Sequence, residues 1–134
     1  MCKLCYESGG FKSDLIITAN QTCILMANLF PIGDLSYLVI TKRHIVSISE
    51  ATPEELKDLF NIVSMVVGRL KYRFRSEGIN VFLNEGDCAG QTIKHVHFHV
   101  VARSSGDGIE NFKRNSGLAV ISPEQLEKHK RITP

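Results

Sequence analysis

The sequence predicts an α+β domain: a mostly antiparallel sheet of five strands, one long helix packed on it, and a short C-terminal helix. Three observations carry this. One long stretch has apolar residues at three- and four-residue steps behind a capping box. Five shorter runs are continuously apolar or alternate with period two, and turn residues separate them. No repeat, low-complexity segment or long linker divides the chain, so residues 1–134 are read as one domain.

In chain order, Asp14–Ala19 and Thr22–Ala27 are strands joined by Asn20-Gln21, a polar pair suited to a tight hairpin. Residues 28–34 contain Pro31 and Gly33 and read as a loop. Leu35–Ile40 is an apolar run bounded by turn residues, hence a buried strand. Thr52-Pro53-Glu54-Glu55 combines an N-cap, a proline at the first helical position and the reciprocal partner of a capping box. Behind it Leu56, Leu59, Phe60, Val63, Val66, Val67 and Leu70 form one apolar stripe, with Lys57, Asp58, Asn61 and Ser64 off it. Lys71, Arg73 and Arg75 crowd the end that the helix dipole makes negative, and Gly78 is read as the stop. Ile79–Asn84 is a fourth strand, Glu85–Gly90 a loop, and His95–Val101 a fifth strand. Ser104–Gly108 is loop, and Ser122-Pro123-Glu124-Gln125 is a second capping box opening a short polar helix.

Composition narrows the function classes. Hydrophobic residues are 43% and charged residues 22% of 134, which excludes disorder, collagen and coiled coil. A net charge of +2 argues against a nucleic-acid or membrane surface and suits a small anionic substrate. No apolar run has the length that spans a bilayer, and Met1–Glu7 lacks the apolar core of a signal peptide, so a cytoplasmic protein is expected. The four cysteines are then expected to be buried or metal-bound rather than disulfide-bonded.

His95, His97 and His99 carry the chemistry. In a strand they project from one face while Val96, Phe98 and Val100 project from the other. Alternating imidazoles at roughly 7 Å spacing suit either a metal or an anion.

Gly90-Gln91-Thr92-Ile93-Lys94-His95-Val96-His97-Phe98-His99-Val100-Val101 resembles the signature of the histidine triad (HIT) superfamily, H-φ-H-φ-H-φ-φ with φ apolar. The preceding Gly-Gln-Thr and Lys resemble the fragile histidine triad branch especially. The resemblance runs from Asn28 through Lys42-Arg43-His44-Ile45 to the triad and fades over the last thirty or so residues.

The resemblance implies nucleotidyl transfer to water. His97 would attack the α-phosphorus of a purine nucleotide and form a covalent nucleotidyl-histidine, and His99 would bond the phosphate or the departing oxygen. Gln91 would act beside them, and Asn84 matches another polar position at the phosphate or leaving group. Asn28 matches a ribose-binding position. Ser36 stands where many members carry a fourth histidine. A serine can bond phosphate but cannot carry a charge, so a nucleotide-binding module with weak or lost turnover is the alternative. In zinc-bearing members a Cys-x-x-Cys pair joins two histidines, here Cys2 and Cys5 with His44 and His95. A structural zinc is therefore implied, with no catalytic metal or organic cofactor required. An unliganded or redox-active thiol pair, and a triad that itself holds a catalytic zinc, are the other readings. By analogy with the superfamily a homodimer is expected.

Overall fold

The computed structural model describes residues 2–5, 10, 13–108 and 120–134. Strands β1 (Ile16–Ala19), β2 (Cys23–Ala27), β3 (Ser36–Thr41), β4 (Gly78–Leu83) and β5 (His97–Arg103) form one antiparallel sheet in the order β1-β2-β3-β5-β4. Helix α1 (Pro53–Tyr72) lies across one face, and α2 (Pro123–Lys130) is the short C-terminal helix. The expected fold class and both capping boxes are present. Among the described residues no helix is long and apolar enough to cross a membrane.

The central strands β2 and β3 are buried along their whole length, so the sheet is covered on both faces. On the helix side Cys23, Tyr37, Val39, Phe98 and Val100 pack against Leu59, Val63, Val66 and Leu70 of α1. On the other side Ile24, Met26, Leu38 and Ile40 are covered by Leu4, Leu15 and Ile121. Burial of this kind is worth roughly 25 cal/mol per Å² of apolar surface, so both coverings stabilise the sheet. Register places the triad: His99 pairs with Leu38 and His97 with Ile40, and paired residues share a face. His97 and His99 therefore belong to the face away from α1.

Five expectations need correction. His95 precedes the strand: the chain bends there, with the His95 amide bonded to the Ile93 carbonyl and the Val96 amide to the Ile45 carbonyl. Asp14 lies in a single 3-10 turn, Ser13–Leu15, that tucks Leu15 into the core. Thr22 belongs to the hairpin loop, because its amide and hydroxyl both bond the Asp58 carboxylate of α1 (3.2 and 2.7 Å). The helix stops at Tyr72, not Gly78. Arg75 adopts φ 55°, while the Phe74 and Ser76 amides reach back to the Arg69 and Leu70 carbonyls, and Gly78 opens β4. Phe60 is 48% exposed despite its place in the stripe; Ile62 is buried instead, and the Phe60 ring meets Phe98 edge-on.

Candidate active site and metal centre

The two triad histidines on β5 are held differently. The His97 Nδ1–H donates to the His95 carbonyl at 2.7 Å, and a carbonyl can only accept. That bond fixes the tautomer and leaves a lone pair on Nε2. His99 meets His97 edge-on, with ring centroids 5.1 Å apart. Its own face is stacked on Phe82 of β4 at 4.5 Å and 10°, a consequence of the Phe82–His99 register.

Both imidazoles open onto a mostly apolar cleft of about 210 Å³, whose walls include Met26, Asn28, Phe30, Leu38 and Ile93. Asn28 is buried and rigidly held. Its Oδ1 accepts from the Phe30 amide at 3.1 Å, and its Nδ2–H donates to Ser36 Oγ at 3.3 Å. Ser36 itself is fully buried and absent from the cleft wall, so its hydroxyl acts on Asn28. Gln91 is also buried. Its Oε1 accepts from the Gly86 amide at 2.9 Å and its Nε2–H donates to the Val46 carbonyl at 3.1 Å, clamping the 86–91 loop to the chain beyond His44. Glu85 adds to that clamp by accepting from the Ser47 hydroxyl and the Ile48 amide. Asn84 is half-buried beside Gly90, whose φ of 90° favours glycine. Neither Gln91 nor Asn84 lines the cleft.

His95 faces another way. Its Nδ1 lies 3.6 Å from Cys2 Sγ and 3.5 Å from Cys5 Sγ, and His44 Nδ1 lies 3.0 Å from Cys5 Sγ. The four ligand atoms all fall within 4.8 Å of one another. Tetrahedral zinc with its usual bond lengths puts sulfur and nitrogen ligands about 3.6 Å apart, so the set fits a closed Cys2His2 site. The outer shell fits as well, because His95 Nε2–H donates to the Thr41 carbonyl at 2.8 Å and leaves Nδ1 as acceptor. Burial pushes the His95 imidazole toward its neutral, ligating form, although the Thr41 carbonyl acts in the opposite sense. The histidine triad is thus divided: His95 belongs to the Cys-His cluster, His97 and His99 to the cleft. The reading in which the whole triad holds one zinc does not match this arrangement.

Sequence reasoning passed over Lys3 and Thr92 on the cleft wall, Phe82 behind His99, and His129 under Ser36. Lys3 had a usable signal in its place between the two cysteines. Phe82 needed the β4–β5 register, and His129 needed the docking of α2.

A HIT domain family matches residues 11–106. An uncharacterised HIT-like protein of Mycoplasma genitalium is 31% identical over 102 residues, covering 76% of this chain and 72% of that protein. The bifunctional bis(5'-adenosyl)-triphosphatase/adenylylsulfatase FHIT of Arabidopsis thaliana is 29% identical over 108 residues, covering 79% of this chain and 60% of that one. In fold the chain is similar to a zinc-bound histidine triad family protein from Mycobacterium smegmatis, with a TM-score of 0.76 at 23% identity over 98% of this chain and 91% of that one. With the triad register and the family match in agreement, the chain belongs to the HIT family, near its fragile histidine triad branch.

Proposed function

We propose that the chain is a nucleotide hydrolase that cleaves at the α-phosphorus of a purine nucleotide, with a dinucleoside polyphosphate or a nucleoside phosphoramidate as substrate. The observation that carries the reading is the His97 Nδ1–H bond to the His95 carbonyl, which leaves the Nε2 lone pair as the nucleophile. Nε2 attacks phosphorus, the P–O or P–N bond to the leaving group breaks, and a nucleotidyl-histidine forms. Water then cleaves the P–N bond to His97 and releases the monophosphate. His99, held in plane by Phe82, bonds the phosphate oxygens or the departing atom. The apolar part of the cleft takes the base, and Asn28, locked by Ser36, takes the ribose. Gln91 and Asn84 act at the phosphate side, Gln91 as the clamp of the 86–91 loop. The activity in the name of the Arabidopsis relative agrees with this chemistry.

Cys2, Cys5, His44 and His95 hold a structural zinc in this reading, and no step of the chemistry passes through it. A homodimer is part of the same reading: β4 is a sheet edge with Val81 41% exposed, and Phe60 offers apolar surface on α1. A cytoplasmic location belongs to the same reading, with Cys2 and Cys5 taken as zinc ligands rather than as a disulfide.

The test is rapid-quench mixing of the protein with a radiolabelled dinucleoside polyphosphate. A nucleotidyl adduct that forms on wild type and is absent in His97→Ala supports the hydrolase. Tight binding with neither adduct nor turnover supports the alternative, a nucleotide-binding module. Full turnover in His97→Ala removes His97 as nucleophile.

A further inference from the structure

The Cys2–Cys5 turn does more than supply two thiolates. Leu4, between the cysteines, is 3% exposed and sits in the apolar cluster with Leu15, Met26 and Leu38, on the triad's side of the sheet. Lys3 lines the cleft that holds His97 and His99. It also lines an adjoining depression bounded by His44, Thr92 and Lys94, so the two hollows share Lys3, Thr92 and Ile93. Among the described residues Lys3 forms no ion pair. The turn is tightly shaped. The Leu4 amide donates to Cys2 Sγ at 3.4 Å, the Cys5 amide to the Cys2 carbonyl at 3.3 Å, and the Gly10 amide to the Cys5 carbonyl at 2.9 Å. A Cβ on Gly10 would lie 2.1 Å from the Cys2 carbonyl oxygen, so only glycine fits against the turn.

Taking the nucleotide-hydrolase reading as its basis, we propose that this turn is a metal-dependent wall of the substrate site, and that Lys3 binds the phosphates of the leaving group. A short segment outside the sheet and helices stays ordered only where something ties it down. Here the ties are Leu4 in the core and two thiolates in a cluster whose other ligands, His44 and His95, belong to the body of the domain. Metal binding is therefore ordering energy for this segment. With the turn docked, Lys3 stands at the rim between the cleft and the second hollow. An ammonium there meets a phosphate chain that leaves His97 and runs toward Lys94. A dinucleoside polyphosphate extends along that track, whereas a phosphoramidate ends before it. The polyphosphate is accordingly the preferred substrate class.

The test measures equilibrium binding of AMP and of a non-hydrolysable diadenosine triphosphate analogue. It compares zinc-loaded wild type, chelator-stripped wild type, Lys3→Met and Gly10→Ala, with circular dichroism to report folding. Lys3→Met should bind the analogue about tenfold more weakly, the worth of one charge-assisted phosphate contact. Its loss for AMP should be under threefold, with wild-type melting behaviour. Stripping the metal, or Gly10→Ala, should weaken both ligands while the sheet and α1 signal persists. Unchanged binding of the analogue to Lys3→Met overturns the role of Lys3. Wild-type binding by stripped, folded protein overturns the metal-dependent wall, and if stripping unfolds the chain, Gly10→Ala decides in its place. Wild type that binds both ligands but fails to hydrolyse diadenosine triphosphate itself refutes the catalytic reading alone; wild type that binds neither refutes both.

Discussion

Replacing His129 with leucine should cost about 2 kcal/mol of folding stability, a magnitude set by what the ring touches. The side chain is fully buried on α2. Its Nε2 accepts from the Ser36 amide at 2.9 Å, its Nδ1–H donates to the Gln125 carbonyl at 2.6 Å, and its ring tilts against Tyr37 at 5.0 Å. Leucine keeps much of the apolar packing but leaves the buried Ser36 amide without its acceptor, a loss of about 1–3 kcal/mol. For a domain of this length 2 kcal/mol corresponds to a fall in Tm of roughly 7 °C. His129→Gln, which can present an acceptor, should lose less than half of that. Acid supplies a second arm. Burial holds the His129 imidazole below its ordinary range, and Lys128 acts in the same direction; the Gln125 carbonyl and Asp34 act against it. The folded state therefore binds fewer protons than the unfolded one. Its full contribution is present above about pH 6.5 and declines as pH falls from there toward the folded value. Urea denaturation of wild type and His129→Leu at several pH values between 7.5 and 5 measures both effects. Equal stability of the two proteins at pH 7.5, or identical acid slopes, would refute the reasoning.

Three further outcomes follow from the site and its supports. His97→Ala should lower turnover at least about 10³-fold while nucleotide still binds, as steady-state kinetics beside calorimetry will report. Gln91→Ala strands the Gly86 amide and the Val46 carbonyl. It should cost about 1–2 kcal/mol in thermal melts and on the order of tenfold in kcat/KM, because the loop before the triad loosens. Glu55→Ala removes both the reciprocal cap of α1 and the partner of Arg43, and should lower stability by about 1–2 kcal/mol. The Arg43 guanidinium holds the Glu55 carboxyl below the usual carboxylate range. That stabilisation is present at neutral pH and is lost as pH falls through the folded value, so the wild-type and Glu55→Ala denaturation curves should converge in acid.

Local rules went furthest where a residue's surroundings are its own neighbours in sequence. The Thr52 and Ser122 capping boxes formed as read, since each needs only residues three positions apart. The end of α1 was misread because Arg75, not the glycine beyond it, takes the left-handed turn. The His95 bend was invisible for a similar reason. Period two describes 95–101 equally well with or without it, and what holds the bend is a carbonyl of a distant segment, Ile45. Phe60 fell on the apolar stripe by spacing, yet the stripe is wider than the surface the sheet offers, so one of its members stays exposed.

The order of residues alone determined the α+β class and the alternation that puts His97 and His99 on one side of a strand, whereas the set Cys2, Cys5, His44 and His95 came from the family resemblance. The first two depend on short-range sterics and periodicity, which act locally. Tertiary structure decided the division of labour: His95 turned toward the thiolates, His97 tethered to a main-chain oxygen, His99 laid on Phe82, Ser36 sealed beneath Asn28. Each of those depends on which distant segments meet, and that is settled by how the sheet pairs and packs.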